Sequence, residues 1–515
     1  MLSRFSPRPL PLTVSLALLL SGCSLTPPLV LPGFDTSSPY REQTAPEQAQ
    51  LPWQPAASGT IDEVPWQVFA LPELAGLLRR IDGANASLAV AKARYDQAAA
   101  LIGQASAGLF PAVNGSAGQT RSGAGHASPS NVDSVGLTAS WEIDLWGRLR
   151  ANVRANEASA QASAADLAGV RLVLQAQLVQ ALLSLRVVEA QRQLLDASVA
   201  DYERYVQLTA DRVRFGVASR ADLAQAETQL LSAQAQAIET GVQRAQFEHA
   251  IAVLVGELPA NFSLPSAQEG EPTLRAPLRA LGDATSPARE ALPGSGTTHA
   301  DIFDRVPALP VVSLNAPSTL LERRPDIAAA EGRAVAANAQ VGIARAAFFP
   351  VLGLSGAAGQ RSPAWGELLS APASFWSIGP ALAAPLFDAG LRSAQKAQAE
   401  AAWEQASATY RQTVLAAFQE VEDQLAALRI LADEAGVQDK AVKAARVGAE
   451  LTLAQYRAGT VGSLQVIVTN SALLSAERAA LDLHNRRLIA AVVLIRALGG
   501  GWPREQGVAA RDDKG

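Results

Sequence analysis

The stretch Val135-Gly136-Leu137-Thr138-Ala139-Ser140-Trp141-Glu142-Ile143-Asp144-Leu145 alternates apolar residues at odd positions with small or polar ones at even positions. Alternation of this kind describes a strand with one apolar face, and ten or so residues suffice to cross a bilayer when tilted. Just beyond it, Gly147 ends the pattern and the period changes. From about Leu149 to Arg214 the chain reads as helix interrupted only by Gly169, and no proline occurs between Pro129 and Pro259. Such a helix would be about 100 Å long, too long for a compact domain. Within it Leu174, Leu178, Ala181, Leu185, Val188 and Leu195 follow the 4,3 spacing of packed coiled-coil helices.

The same order recurs downstream. Gly147, Gly216 and Gly256 each have a glycine 243 residues on, at Gly390, Gly459 and Gly499, and Phe110-Pro111 returns as Phe349-Pro350. Trp376, Ile378, Pro380, Leu382, Ala384 and Leu386 repeat the alternation. Val414, Phe418, Val421, Leu425, Leu428 and Ala432 repeat the helical spacing, and Pro385 to Pro503 is again free of proline. The duplication divides the chain at 75-257 and 318-500, joined by a Pro- and Gly-rich connector at 258-317. Segments 109-120 and 349-361 supply the strand partners, giving one hairpin per repeat. The turn glycines Gly216 and Gly459 suit helix ends that need positive φ.

Four strands cannot close a barrel, and an open sheet edge in lipid leaves backbone groups unpaired. Copies of the chain must pool strands; two, three or four copies would supply 8, 12 or 16. Glu142 and Asp144, on the polar face, are barrel lumen candidates. The mainly α composition agrees: 515 residues are 49% hydrophobic but only 5% aromatic, with a single Met. Small side chains such as Ala158, Ala162, Ala165, Ala401, Ala402 and Ala406 would let helices approach closely.

A net charge of -5 and the absence of a lysine cluster argue against a nucleic-acid partner. The four histidines, 126, 249, 299 and 484, are scattered, and no metal, nucleophile or phosphate-loop motif is present, so no enzyme, metal or cofactor is expected. At the N-terminus, Arg4 and Arg8 precede an apolar run from Leu12 to Leu20, the pattern of a secretory signal at 1-22. After it the longest aliphatic run is Leu488 to Ile495, closed by Arg496, so no transmembrane helix is expected.

Leu20-Ser21-Gly22-Cys23 resembles a bacterial lipobox, which implies acylation of Cys23; Ser24 in place of Asp implies the outer membrane. With Leu320-Leu321-Glu322-Arg323-Arg324-Pro325-Asp326-Ile327, Phe349-Pro350 with Leu354, and Ala497-Leu498-Gly499-Gly500-Gly501-Trp502, the mature chain resembles the TolC-like outer-membrane efflux family, in its OprM/NodT-type lipoprotein branch. The resemblance implies a homotrimer with a 12-strand outer-membrane β-barrel and an α-helical periplasmic tunnel. It further implies a lipidated segment at 23-74, an equatorial region from connector and chain ends, and a tail at 501-515. As partners it implies a periplasmic adaptor and an inner-membrane resistance-nodulation-division pump, with the chain as passive exit duct for small molecules. A type I protein-secretion duct and a non-transporting scaffold lipoprotein are the alternatives. The family also implies a periplasmic gate: Tyr456 matches its tyrosine, Asp222 its acidic residue and Leu464 its apolar constriction. Val468 and Ser471 depart from the branch, which places aspartate and arginine there.

Overall fold

The computed structural model describes residues 25–35, 39–44, 53–55, 65–123, 129–266, 302, 306–314, 321, 323–368, 373–500 and 502. The expected signal peptide, Cys23, most of the connector and nearly all of the tail lie outside these residues. The elements in chain order are β1 (Trp53–Pro55), α1 (Leu74–Ala84), α2 (Ala86–Ala107), β2 (Ala112–Ser122), β3 (Ser130–Ile143), α3 (Arg148–Arg214) and α4 (Arg220–Leu254). Next come β4 (Val312–Leu314), α5 (Pro325–Ala346), β5 (Val351–Ser362), β6 (Ser374–Ala383), α6 (Leu391–Arg457) and α7 (Ser463–Ala497). The fold is mostly helical with a small antiparallel sheet. α3 and α6 are each 67 residues long, and α4 and α7 each 35.

The chain forms two compact units. The first takes residues 91–167 and 326–414 with the N-terminal residues to 34. Its sheet runs β2-β3-β5-β6, antiparallel throughout, so the two hairpins join through β3 and β5 and leave β2 and β6 as edges. Beside the sheet, α5 lies close on α3: a Cβ at Gly332 would stand 3.0 Å from the Ala158 carbonyl and 3.1 Å from the Ala162 methyl. Ala158, Ala162 and Ala165 are buried there as small-residue packing requires. Ala401 and Ala402 are instead exposed on α6, so within one chain the expected close packing applies to the first set alone. Trp146 stacks on Phe349 with ring centroids 4.8 Å apart and donates to the Pro350 carbonyl at 2.7 Å, fastening the β3-to-α3 junction to the α5-to-β5 junction.

The second unit takes residues 35–90, 168–325 and 415–515. Its core is the predicted stripe: Leu178, Leu185 and Leu195 of α3 and Val421, Leu425 and Leu428 of α6 are fully buried. By length and composition alone one 18-residue window of α3, with mean hydropathy 1.4, is apolar enough for a membrane span, a test that buried core helices also pass. The uninterrupted-run criterion missed it because Gln and Arg break up the apolar residues. Leu178, Leu182, Leu183 and Leu185 nevertheless belong to the buried core of this unit. Two of the motifs that carry the family resemblance meet here: Arg324 donates to the Ala497 carbonyl and to Glu420, both at 2.9 Å.

Candidate functional site

The register settles which sheet residues share a face. Val113, Leu137, Ala139, Trp141 and Ile143 face the same way as Leu352, Leu354, Trp376, Ile378, Pro380 and Leu382. Most of these large apolar side chains are exposed, Trp376 at 79% and Ile378 at 69%. An apolar face of this extent, uncovered among the described residues, marks a surface for an apolar neighbour. The opposite face carries Asn114, Ser116, Thr138, Ser140, Ser355, Ala357 and Ser377. It is small and polar. Gly136 and Gly359 stand opposite one another on this face, and the Phe375 ring covers them, 3.6 and 3.1 Å from where their Cβ atoms would be. Arg361 lies over that ring, 5.0 Å from its centroid.

The lumen candidates sit where strand becomes helix. Arg148 donates to the two Glu142 carboxylate oxygens at 3.0 and 2.7 Å. Asp144, expected on the strand, lies past its last residue, Ile143. Its carboxylate accepts from the Leu149 and Arg150 amides at 3.1 and 3.0 Å, satisfying the open N-terminus of α3. That demand ends the strand early and corrects its predicted boundary.

In the second unit both helix turns use the expected glycines. Gly216 and Gly459 have φ of 75° and 77°. The Val217 amide donates to Arg212 and the Gly216 amide to Val213; Thr460 and Gly459 do the same to Gln455 and Tyr456. This is the Schellman pattern, which caps the last carbonyls of α3 and α6. Asp222 occupies the third helical position of α4 and forms a capping box with Ser219: its carboxylate accepts from the Ser219 amide at 3.0 Å, and its own amide donates to the Ser219 hydroxyl at 3.1 Å. Tyr456 is 1% exposed. Its hydroxyl has no partner among the described residues, while Arg212 lies 4.0 Å over its ring and donates to its carbonyl at 3.3 Å. The expected pair is therefore not joined within one chain. Asp222 serves the α4 cap and Tyr456 the α3–α6 contact. Leu464 and Val468, on the first turns of α7, are 52% and 53% exposed.

Sequence reasoning missed a neutral seam. Ser471 meets the Tyr202 hydroxyl at 3.2 Å and donates to Gln229 at 3.4 Å, linking α7 to α3 and α4. Burial pushes the Tyr202 phenol up, and its bond with Ser471 works against that rise. The three residues border a polar cleft of about 490 Å³ lined also by Gln191, Ser232, Gln236 and Arg478. Nothing local in the sequence signals a bond across 269 residues.

The family profile described as outer membrane efflux protein matches residues 77–257 and 316–500. The chain is 31% identical to the pyoverdine export outer membrane protein OpmQ of Pseudomonas aeruginosa, covering 97% of this chain and 98% of that one. It is 30% identical to the probable efflux pump outer membrane protein TtgC of Pseudomonas putida, over 96% of each. The solved structure of the outer-membrane channel OprN superposes with a TM-score of 0.77 at 27% identity, covering 93% of this chain and 98% of that one.

Proposed function

The chain belongs to the outer membrane efflux protein family, and on that premise we propose that it is the passive exit duct of a tripartite efflux system, closed by three copies into a 12-strand barrel. The observation that carries this reading is the two-faced sheet with two open edges. β2 and β6 run antiparallel to one another, so β6 of one copy beside β2 of the next continues the up-and-down alternation around a ring. Closure pairs every edge group, turns the exposed apolar face to lipid and encloses the small polar face around water. A non-transporting scaffold would have no use for that pairing of faces. The efflux-pump names of the relatives favour small-molecule export over protein secretion.

An inner-membrane pump and periplasmic adaptor would deliver the solute, the energy would be the pump's, and no catalytic step falls to this chain. Cys23 carries the lipid in this reading. Two or three acyl chains at about 0.8 kcal/mol per buried CH₂ would anchor each copy in addition to the barrel. Asp222, Tyr456 and Leu464 form the gate in this reading: the buried Tyr456 hydroxyl has no partner among the described residues, and a polar group left unpaired in that way is a weak point at which the α3–α6 contact can open.

Single-channel recording in planar bilayers tests this. The protein conducts, and Asp222→Ala with Tyr456→Phe raises conductance while Glu142→Ala does not raise it comparably. Absence of conductance contradicts the duct. Unchanged conductance in the double variant removes Asp222 and Tyr456 from the gate, and a larger effect of Leu464→Ala alone makes the constriction apolar.

A further inference from the structure

The polar face of the sheet is almost free of charge. Among its described strand residues only Glu142 and Arg361 are ionic; Asp133 and Arg121 fall on the other face by register. Glu142 is neutralised by the two-pronged contact with Arg148 at the helical end of the sheet. Arg361 makes no ion pair among the described residues, and its one specific contact is the face of Phe375. It is exposed, whereas Phe375 is half-buried over the Gly136–Gly359 pair. Glycine at both positions leaves room for the ring, and the ring gives the guanidinium a surface to rest on without cancelling its charge. Arg361 is the penultimate residue of β5 and Phe375 the second of β6. Both therefore lie at the hairpin-turn end, away from the helices.

We propose that Arg361, held by Phe375, sets the charge preference of the barrel lumen: three copies form a cationic collar near the outer mouth that favours anionic over cationic solutes. This rests on the duct reading. With Glu142, the other ionic residue among the described strand residues of this face, paired to Arg148, the collar's field acts over about one Debye length, near 10 Å at 0.1 M salt and 3 Å at 1 M. At low ionic strength that is enough to bias what crosses a narrow ring.

Reversal potentials of the full-length protein in planar bilayers under a potassium chloride gradient test the inference. With about 0.1 M salt on the dilute side, Arg361→Gln shifts the potential toward potassium preference and Arg361→Glu shifts it further. Arg361→Lys matches the wild type, Phe375→Leu keeps the sign with a smaller bias, and all differences shrink at 1 M. Conducting wild-type and Arg361→Glu channels with the same reversal potential would overturn the collar and leave the duct standing. A wild type that never conducts would overturn both.

Discussion

The helical stretches 148–257 and 391–500 share their backbone punctuation but not their charges. Gly256 and Gly499 end α4 and α7 with φ of 76° and 93°, and a methyl on either would collide with a carbonyl, Ala84 for the first and Arg323 for the second. In the earlier stretch Glu189 accepts from Arg186 at 2.8 Å and from Arg244 at 3.1 Å. Arg244 goes on to Glu248 and the Leu264 carbonyl, and Glu248 accepts from the Leu264 amide. Arg487 stands at the position of Arg244, but Ala432 and Ala491 replace the two glutamates. Its Nε is buried with no hydrogen-bond partner among the described residues. Burial pulls its pKa down, with Asp439 opposing. Backbone geometry leaves few chemical solutions at a left-handed helix end, so glycine persists at both. Charge pairs answer to whichever segment lies alongside, and Leu264 and Pro265 of the connector bond to the earlier stretch.

The sharpest test of that contrast is steric. Gly256→Ala should cost about 4 kcal/mol or prevent folding, since it combines the left-handed penalty with overpacking. Gly216→Ala, with open space around its Cβ, should cost only about 1 kcal/mol. Denaturant melts of the two variants separate the cases, and equal losses would refute the close approach to Ala84.

The charge networks come next. Glu189→Ala leaves two arginines short of a buried partner and should cost about 3 kcal/mol, whereas Arg487→Met removes a cation whose buried Nε has no hydrogen-bond partner among the described residues and should be neutral or stabilising by about 1 kcal/mol. Comparable losses in thermal melts of the two proteins would show that Arg487 is compensated.

A smaller effect separates the helix starts. Ser219 and Asp222 cap α4, but the matching Gly462 gives α7 no side-chain cap. Ser219→Ala should lose about 1 kcal/mol, and Gly462→Ser should gain a few tenths. A loss on the second substitution would mean that glycine is required at 462 for another reason.

The mildest prediction is pH dependence. His484 of α7 donates from Nε2 to the Pro307 carbonyl at 2.8 Å, holding the connector's last residues. Burial pulls its pKa below the ordinary 6.5, Arg487 adds to the depression, and the Pro307 bond and Asp439 oppose it. The unfolded chain therefore takes up the proton first. Stability contributed by His484 is whole above pH 6.5 and declines as pH falls from there toward the lowered value. Hydrogen-exchange protection of residues 306–314 should fall as pH drops through the range below 6.5 relative to residues 262–266, which Arg244 and Glu248 hold. His484→Gln should flatten the difference; a variant with undiminished pH dependence would exonerate His484.

Much of the fold was legible in the sequence because its signals are local and periodic. Alternation from Val135 to Leu145 marked β3, and the helical reading from Leu149 to Arg214 marked α3 to within a residue, while for α6 the turn glycine Gly459 marked the end and the start was not placed. The strand boundary erred at Asp144 because alternation cannot register the demand of a following helix for a cap. Pairings such as Arg212 with Tyr456 or Ser471 with Tyr202 were illegible for a different reason. Periodicity says which face of a helix is buried, but not which residue of another helix lies opposite.

Disulfide trapping across the open edges tests the central claim most directly, that copies of this chain pool four strands each into one closed ring. Ser116→Cys on β2 is combined with Ser377→Cys, or a cysteine one pair either side, on β6, and membranes are oxidised and run without reductant. The account predicts a covalent ladder that ends at three chains and collapses on reduction. No cross-linked product at any β6 position, or a ladder continuing past three, would contradict it.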